Sequence, residues 1–226
     1  MDAYLSLWET YGGQMLSTFW TNLQLTFWAA IASFLLGTLL ALMRISPVPS
    51  LRWAGAAYVN IFRNTPLTII LTFGVLVLFG VFRVTLASDF NLNFFRIAII
   101  GLTIYHAAFF CEAIRSGVNT VPLGQAEAAR AIGLSFLPAA RIVILPQAFR
   151  GAIAPIGNVL IALIKNSTVA TAGSVAEISG TMKVMMEFRP DVGIPIFLTV
   201  AVFFVIVVLP VGMLTTYLSK KLAVAR

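Results

Sequence analysis

Five stretches of this chain contain no Asp, Glu, Lys or Arg: residues 10–43, 64–82, 97–111, 151–164 and 192–219. Gaps of this length leave few foldable solutions. A bilayer core about 30 Å thick takes roughly 20 apolar residues of helix. Inside hydrocarbon every backbone N–H and C=O must find a partner within the segment, which selects helices for runs like these. Of the 226 residues, 60% are hydrophobic and 10% charged, where an ordinary soluble domain carries about a quarter. The exposed surface therefore faces lipid. Two gaps are short of a full crossing, but a helix can run on through flanking charges whose long side chains snorkel to the interface. The expectation is an all-α membrane protein, a single transmembrane domain over 1–226, with helices near 18–43, 55–82, 94–115, 148–168 and 194–218.

The first ten residues, MDAYLSLWET, hold two acids and no Lys or Arg. A signal peptide wants a positive start, so the first span is expected to be retained as an anchor. Basic residues set orientation. Nine of the 15 fall on one side (Arg44, Arg52, Arg115, Arg130, Arg141, Arg150, Lys220, Lys221, Arg226) and four on the other (Arg83, Arg96, Lys183, Arg189). This places the C-terminus in the cytoplasm and the N-terminus outside. The formal charge of +7 is then a topology signal and gives no reason to expect a nucleic-acid partner.

Chemistry is sparse. One cysteine and one histidine exclude an intrachain disulfide, a multi-cysteine metal site and bis-histidine haem ligation. Cys111 reads as a small core residue. No Gly-rich phosphate loop and no nucleophile paired with a base is present, so no catalytic, cofactor or metal residue is assigned and the chain is not expected to hydrolyse ATP. Ionisable groups inside a membrane are costly and mark candidate pathways. Arg63 stands before Pro66, whose missing donor Asn64 or Thr65 could offset locally. It reads as a snorkelling cation at a kink or as a pathway or partner contact. His106 lies near mid-depth, as a pathway residue or as a neutral histidine bonded to a neighbouring helix. Lys165, Asn166 and Ser167 close the fourth span and are the remaining pathway candidates. Glu112 and Arg115, three apart, can pair.

One segment is polar-edged and alanine-rich: residues 124–146, GQAEAARAIGLSFLPAARIVILP. Residues 124–132 read as a short helix ended by Gly133 in a left-handed cap. Glu127 and Arg130 can pair at i and i+3. Ser135 is a candidate N-cap for a second helix with Pro138 in its first turn, and Pro146 is expected to break that helix. The outcome is a cytoplasmic helix–turn–helix whose alanine face admits another backbone closely and whose Glu127 marks an exposed side. Five spans without an internal repeat are few for a two-halved transporter, so a pathway needs a second copy or a homologous partner.

The residues Glu127-Ala128-Ala129, Gly133, Val143, Leu145 and Pro146 resemble the EAA signature loop of permease subunits of bacterial ABC importers, with valine standing for the usual isoleucine. FRNTPL (62–67), CEAIRSGV (111–118), LPQAFR (145–150) and LIKNSTVA (163–170) are similar to the polar amino-acid subfamily, and especially to actinobacterial glutamate permease subunits. The resemblance implies a five-helix, type I permease fold whose segment 124–146 is a coupling element. Gly124, Gln125, Glu127, Ala128, Ala129, Gly133 and Pro146 would meet a separate ATPase, which binds the ATP and Mg. It further implies an ATPase dimer, a second permease subunit (identical or paralogous), an extracytoplasmic amino-acid-binding protein, and import of glutamate or another polar or acidic amino acid across the bacterial cell membrane. The alternative is a membrane scaffold that recruits a cytoplasmic partner without conducting solute.

Overall fold

The computed structural model describes residues 2–222, and those residues are almost entirely helical. Helix α1 spans Asp2–Ile45, α2 Pro49–Arg63 and α3 Leu67–Phe73, the last continuing as a wide π-helical stretch, Gly74–Val81. Helix α4 spans Phe90–Val118, α5 Leu123–Ala131 and α6 Phe136–Ala139, the last followed by π-helical Ala140–Ile144. Then come α7 (Leu145–Gly151), α8 (Ile153–Asn166) with a 3-10 extension Ser167–Gly173, α9 (Ile178–Phe188) and α10 (Gly193–Lys221). Among the described residues four helical stretches are long and apolar enough to cross a membrane: Leu5–Ile45, Phe90–Val118, Ile153–Gly173 and Pro190–Lys221. Counting α2 with the stretch from Leu67 to Val81 as one broken span gives a fifth.

Several boundaries differ from the sequence expectation. The first helix was expected from about residue 18 but is helical from Asp2, because no proline interrupts residues 2–17 and Gly12 and Gly13 weaken a helix without ending it. The expected helix 55–82 is interrupted at Asn64–Pro66. There the Asn64 amide donates to the Asn60 carbonyl at 2.7 Å and the Thr65 hydroxyl to that of Ile61 at 2.8 Å. Side chains thus satisfy the carbonyls that end α2, as Pro66 requires. The fourth span is also divided, by a turn at Ala152, and α9 was not anticipated at all.

By internal contact the chain forms two compact units: residues through Ala30 with Pro66–Leu102 and Ala162–Pro210, and Ile31–Thr65 with Thr103–Ile161 and the chain from Val211 onward. In the first unit Leu7 and Met15 of α1 are buried with Ile178 and Met185 of α9 and with Ile196 and Val200 of α10. Phe19 packs against Phe203 at a tilt and edge-on against Phe204, at centroid distances of 5.0 and 5.5 Å. In the second unit Leu40, Ala41, Val59, Ala107, Ala108, Cys111 and Ile114 form the core. Small residues dominate there because lipid supplies no hydrophobic drive between helices, and close backbone approach has to provide the packing. A Cβ on Gly37 would lie 2.9 Å from the Ala107 carbonyl oxygen. Trp20, Phe27, Leu35 and Leu39 of α1 and Ile194, Phe197 and Val205 of α10 are exposed. In water such faces would aggregate; on a membrane protein they are the lipid contact.

Candidate functional site

Segment 124–146 lies wholly in the second unit and folds as a tight hairpin of two short helices. Its turn is a Schellman motif: the Gly133 N–H donates to the Arg130 carbonyl at 3.0 Å and the Leu134 N–H to that of Ala129 at 3.1 Å. Gly133 carries φ +90, a conformation in which any Cβ is strained, so the glycine is required by the backbone. Gly124, by contrast, sits inside α5 with open space around it and does not punctuate the helix. Ser135 takes the extended N-cap conformation, but its hydroxyl makes no capping bond. Pro146 does not break the chain's helical course. The wide turn Ala140–Ile144 precedes it and α7 begins at Leu145, so the proline occupies a first turn where its missing donor costs little.

Glu127 and Arg130 are both exposed and no ion pair joins them among the described residues. An exposed pair of this kind gains too little to hold two long side chains in one geometry. The Glu127 carboxylate is left free beside a set of uncovered apolar side chains: Leu123 (83% exposed), Ile132 (78%), Leu137 and Ile142. Gln125 and Ala128 are exposed with it, while Ala129 is buried beneath. The hairpin's root is fixed to α4. A Cβ at Gly117 would lie 2.1 Å from the Ala148 carbonyl oxygen, and one at Gly151 would lie 2.4 Å from the Thr120 hydroxyl. The backbones of α4 and α7 therefore touch, and motion of the hairpin is handed to α4 with little slack. Gly117→Val is expected to force these helices apart and to cut the amount of folded protein in the membrane several-fold, read by fluorescence-detected size-exclusion chromatography. An unchanged monodisperse peak would show that the seam can open without loss.

Four charged side chains gather near this root. Glu112 accepts two bonds from Arg115, at 2.9 and 3.3 Å, and one from Arg44 of α1. Arg63 approaches the same carboxylate to 4.0 Å and lies 5.6 Å above the Phe109 ring. The pairing of Glu112 with Arg115 was legible from spacing; Arg44 was not. His106 is buried in α4 beside Tyr105 and Phe109, with ring centroids 5.1 and 6.3 Å away. Phe109 thus links Arg63 and His106, two of the pathway candidates.

The other three belong to the first unit. Lys165 is exposed, Asn166 half-buried and Ser167 fully buried. Ser167 donates to the Ile164 carbonyl at 2.7 Å and accepts from the Asn22 amide at 2.9 Å. Asn22 opens a network that sequence reasoning missed. Its amide also donates to Glu177 at 3.0 Å, and its oxygen accepts from the Ile178 N–H at 3.0 Å. Glu177, 0% exposed, caps α9 by accepting from the N–H groups of Ser179 and Gly180 at 2.9 Å each, and takes a further bond from the Thr171 hydroxyl. An acid just before the apolar period Ile178, Thr181, Met185 is a readable helix start; its partner 155 residues away is not. Beside it opens a recess of about 410 Å³ lined by Thr21, Gln24, Asn91, Ser174 and neighbouring apolar side chains. No cluster of His, Cys, Asp and Glu suited to a metal occurs among the described residues.

Residues 33–224 match the family model described as "Binding-protein-dependent transport system inner membrane component". The chain is 44% identical over 226 residues to the glutamate transport system permease protein GluC of Corynebacterium efficiens, covering 98% of this chain and 99% of that protein. It is 36% identical over 195 residues to the probable glutamine ABC transporter permease protein GlnM of Bacillus subtilis, covering 86% of each. Among solved structures, an amino acid ABC transporter with histidines superposes with a TM-score of 0.80 at 25% identity, covering 96% of this chain and 98% of that one. The MetNI methionine ABC transporter superposes with a TM-score of 0.72 at 23% identity over 93% and 96% of the two chains, a likeness of fold.

Proposed function

This chain belongs to the family of binding-protein-dependent transport system inner membrane components, and from that premise we propose that it carries glutamate or a closely related acidic amino acid into the cell. As a permease subunit of an ATP-driven import system it is a non-catalytic, multi-pass membrane component, and ATP and Mg act on a separate ATPase. Acidic cargo is supported by the 44% identity, over nearly the whole of both chains, to a permease named for glutamate.

Coupling to the ATPase is assigned to the hairpin, and the observation that carries it is the free Glu127 carboxylate on a turn locked by Gly133 and rooted on α4 through Gly117. Glu127 would pair with a cation of the ATPase. Gly124, Gln125 and Ala128 would let its backbone approach, Ala129 and Gly133 would hold the turn, and Pro146 would fix the exit into α7. The proposed orientation puts this hairpin and the C-terminus in the cytoplasm and the N-terminus outside, as the basic residues direct. A second permease subunit, identical or paralogous, completes the pathway, and an extracytoplasmic binding protein delivers the solute. Arg63 and His106 around Phe109, and Lys165, Asn166 and Ser167 at the end of α8, are the proposed contacts for an anionic amino acid. Closure of the ATPases would move the two hairpins as rigid bodies, which requires a docking energy that differs between the two states.

Reconstitution of the complete importer in proteoliposomes tests the reading. ATP-dependent uptake of labelled glutamate should require this chain and should be competed by unlabelled glutamate and aspartate far better than by glutamine or arginine. Uptake that persists without the chain would favour a scaffold role, and competition led by arginine would overturn the acidic cargo.

A further inference from the structure

The connection between the π-helical end of α3 and the start of α4 builds a second recess, of about 600 Å³, lined by Phe79, Arg83, Thr85, Leu86, Ala87, Ser88, Phe90 and Asn93. Its frame is fixed. The Leu86 peptide is held at both ends, its N–H donating to the Asn93 side-chain oxygen at 2.7 Å and its carbonyl accepting from Arg96. Phe79 packs edge-on against Phe90 and Phe94, with centroids 6.0 and 5.1 Å apart, and gives the recess an apolar wall.

Asn93 is 1% exposed, and its amide nitrogen has no hydrogen-bond partner. The assignment of that nitrogen is forced, because the Leu86 N–H can only donate and must therefore meet the oxygen. A shielded donor without an acceptor costs about 1–3 kcal/mol, and since the nitrogen is closed to solvent, an acceptor in the recess meets it once the Asn93 side chain turns slightly outward. Other polar side chains on the wall can also donate: the exposed hydroxyls of Thr85 and Ser88 and the exposed guanidinium of Arg83. Arg83 has φ 56, a left-handed backbone that an arginine rarely takes. Asp89, the one acid in residues 82–96, is engaged with the Leu92 N–H at 2.8 Å, and against Arg83 and Arg96 it leaves this segment one net positive charge.

We propose that this recess is a binding site for a small carboxylate, with Asn93, Ser88 and Arg83 donating to its oxygens and Phe79 and Phe90 covering a short methylene chain. A charged acceptor is favoured over a neutral one because hydrogen bonds to an ionised oxygen are the stronger class. The site shares no lining residue with the pathway candidates named above and does not depend on transport.

Glutarate serves as probe, with its neutral diamide as control, on the full chain in lipid nanodiscs without ATPase or binding protein, followed by saturation-transfer NMR. Saturable glutarate binding is expected, with the diamide weaker by about tenfold or more. Asn93→Asp keeps the acceptor for Leu86 and replaces the donor by a carboxylate, so glutarate binding should vanish. Arg83→Gly suits the left-handed backbone and should fold at least as well while binding glutarate about tenfold more weakly. The proposal is overturned if glutarate shows no saturable binding, if the diamide binds equally, or if both variants bind like the unaltered chain. Since no uptake is measured, none of these outcomes bears on the transport reading.

Discussion

Glu127→Lys should reach the membrane at the normal level, leave ATP hydrolysis by the partner intact, and reduce ATP-dependent uptake to the background of cells lacking the chain. The carboxylate is exposed and unpaired on a hairpin that also exposes Leu123, Ile132 and Leu137. Nothing in the chain's own packing needs it, so the fold should tolerate the change. At an interface the same change puts a cation opposite the ATPase cation that the carboxylate would meet and adds to Arg130 and Arg141; such like-charge contacts cost several kcal/mol. Gly133→Leu should weaken uptake by a separate route. Beyond its own chain neighbours no atom lies within 4 Å of the position its Cβ would take, so crowding is not the cause, but φ is +90. A leucine there costs about 1–2 kcal/mol of backbone strain and loosens the turn. Gly133→Asn, which accepts left-handed geometry more readily, should retain more uptake than leucine does. Uptake at the unaltered rate in both Glu127→Lys and Gly133→Leu, at equal membrane levels, would remove the hairpin from coupling.

The parts of this molecule that a sequence discloses are those governed by local rules. Charge gaps located the spans because burying a charge in lipid is costly wherever it falls in the chain. Gly133 was legible as a left-handed cap because the requirement is set within five residues, and the interruption at Pro66 followed from one missing donor. Local rules also misled where neighbours supplied an alternative. Pro146 reads as a breaker, yet the wide turn Ala140–Ile144 ahead of it lets helix resume at Leu145. The first span reads as starting near residue 18, but helix runs from Asp2.

What stayed hidden was pairing at a distance. Arg44 meets Glu112 across 68 residues and Asn22 meets Glu177 across 155. No spacing rule reaches that far, since such contacts exist only after helices pack. The same holds for Asn93, which looks like an ordinary polar residue at a helix start until the loop before it takes up its oxygen and leaves its nitrogen bare. Of the pathway candidates, Arg63 and His106 share Phe109 while Ser167 is committed to Asn22. Depth and charge can nominate such residues, but only packing tells which of them already have partners.

Glu177→Ala should lower the unfolding midpoint in detergent by far more than any exposed acid does. The carboxylate is 0% exposed and is met by Asn22, Thr171 and the N–H groups of Ser179 and Gly180, and no cation pairs with it among the described residues. Removing it strands several donors at once, and each stranded buried donor costs about 1–3 kcal/mol. A loss of more than about 3 kcal/mol in total is at the level that unfolds a marginal protein. The N-terminus of α9, with its orphan N–H groups, explains why a negative charge is held here without a basic partner. Glu177→Gln should cost less, because one oxygen still accepts while the new amide faces the Asn22 donor. That conflict suggests a specific rescue. Asn22→Asp alone puts two carboxylates together and should destabilise, but combined with Glu177→Gln it restores one donor and one acceptor across the contact. The double variant should therefore be more stable than the sum of the single losses predicts, a positive coupling of the kind contacting residues show. Strict additivity, or a Glu177→Ala midpoint equal to that of the unaltered chain, would mean that the Asn22–Glu177 contact does not hold α1 against α9.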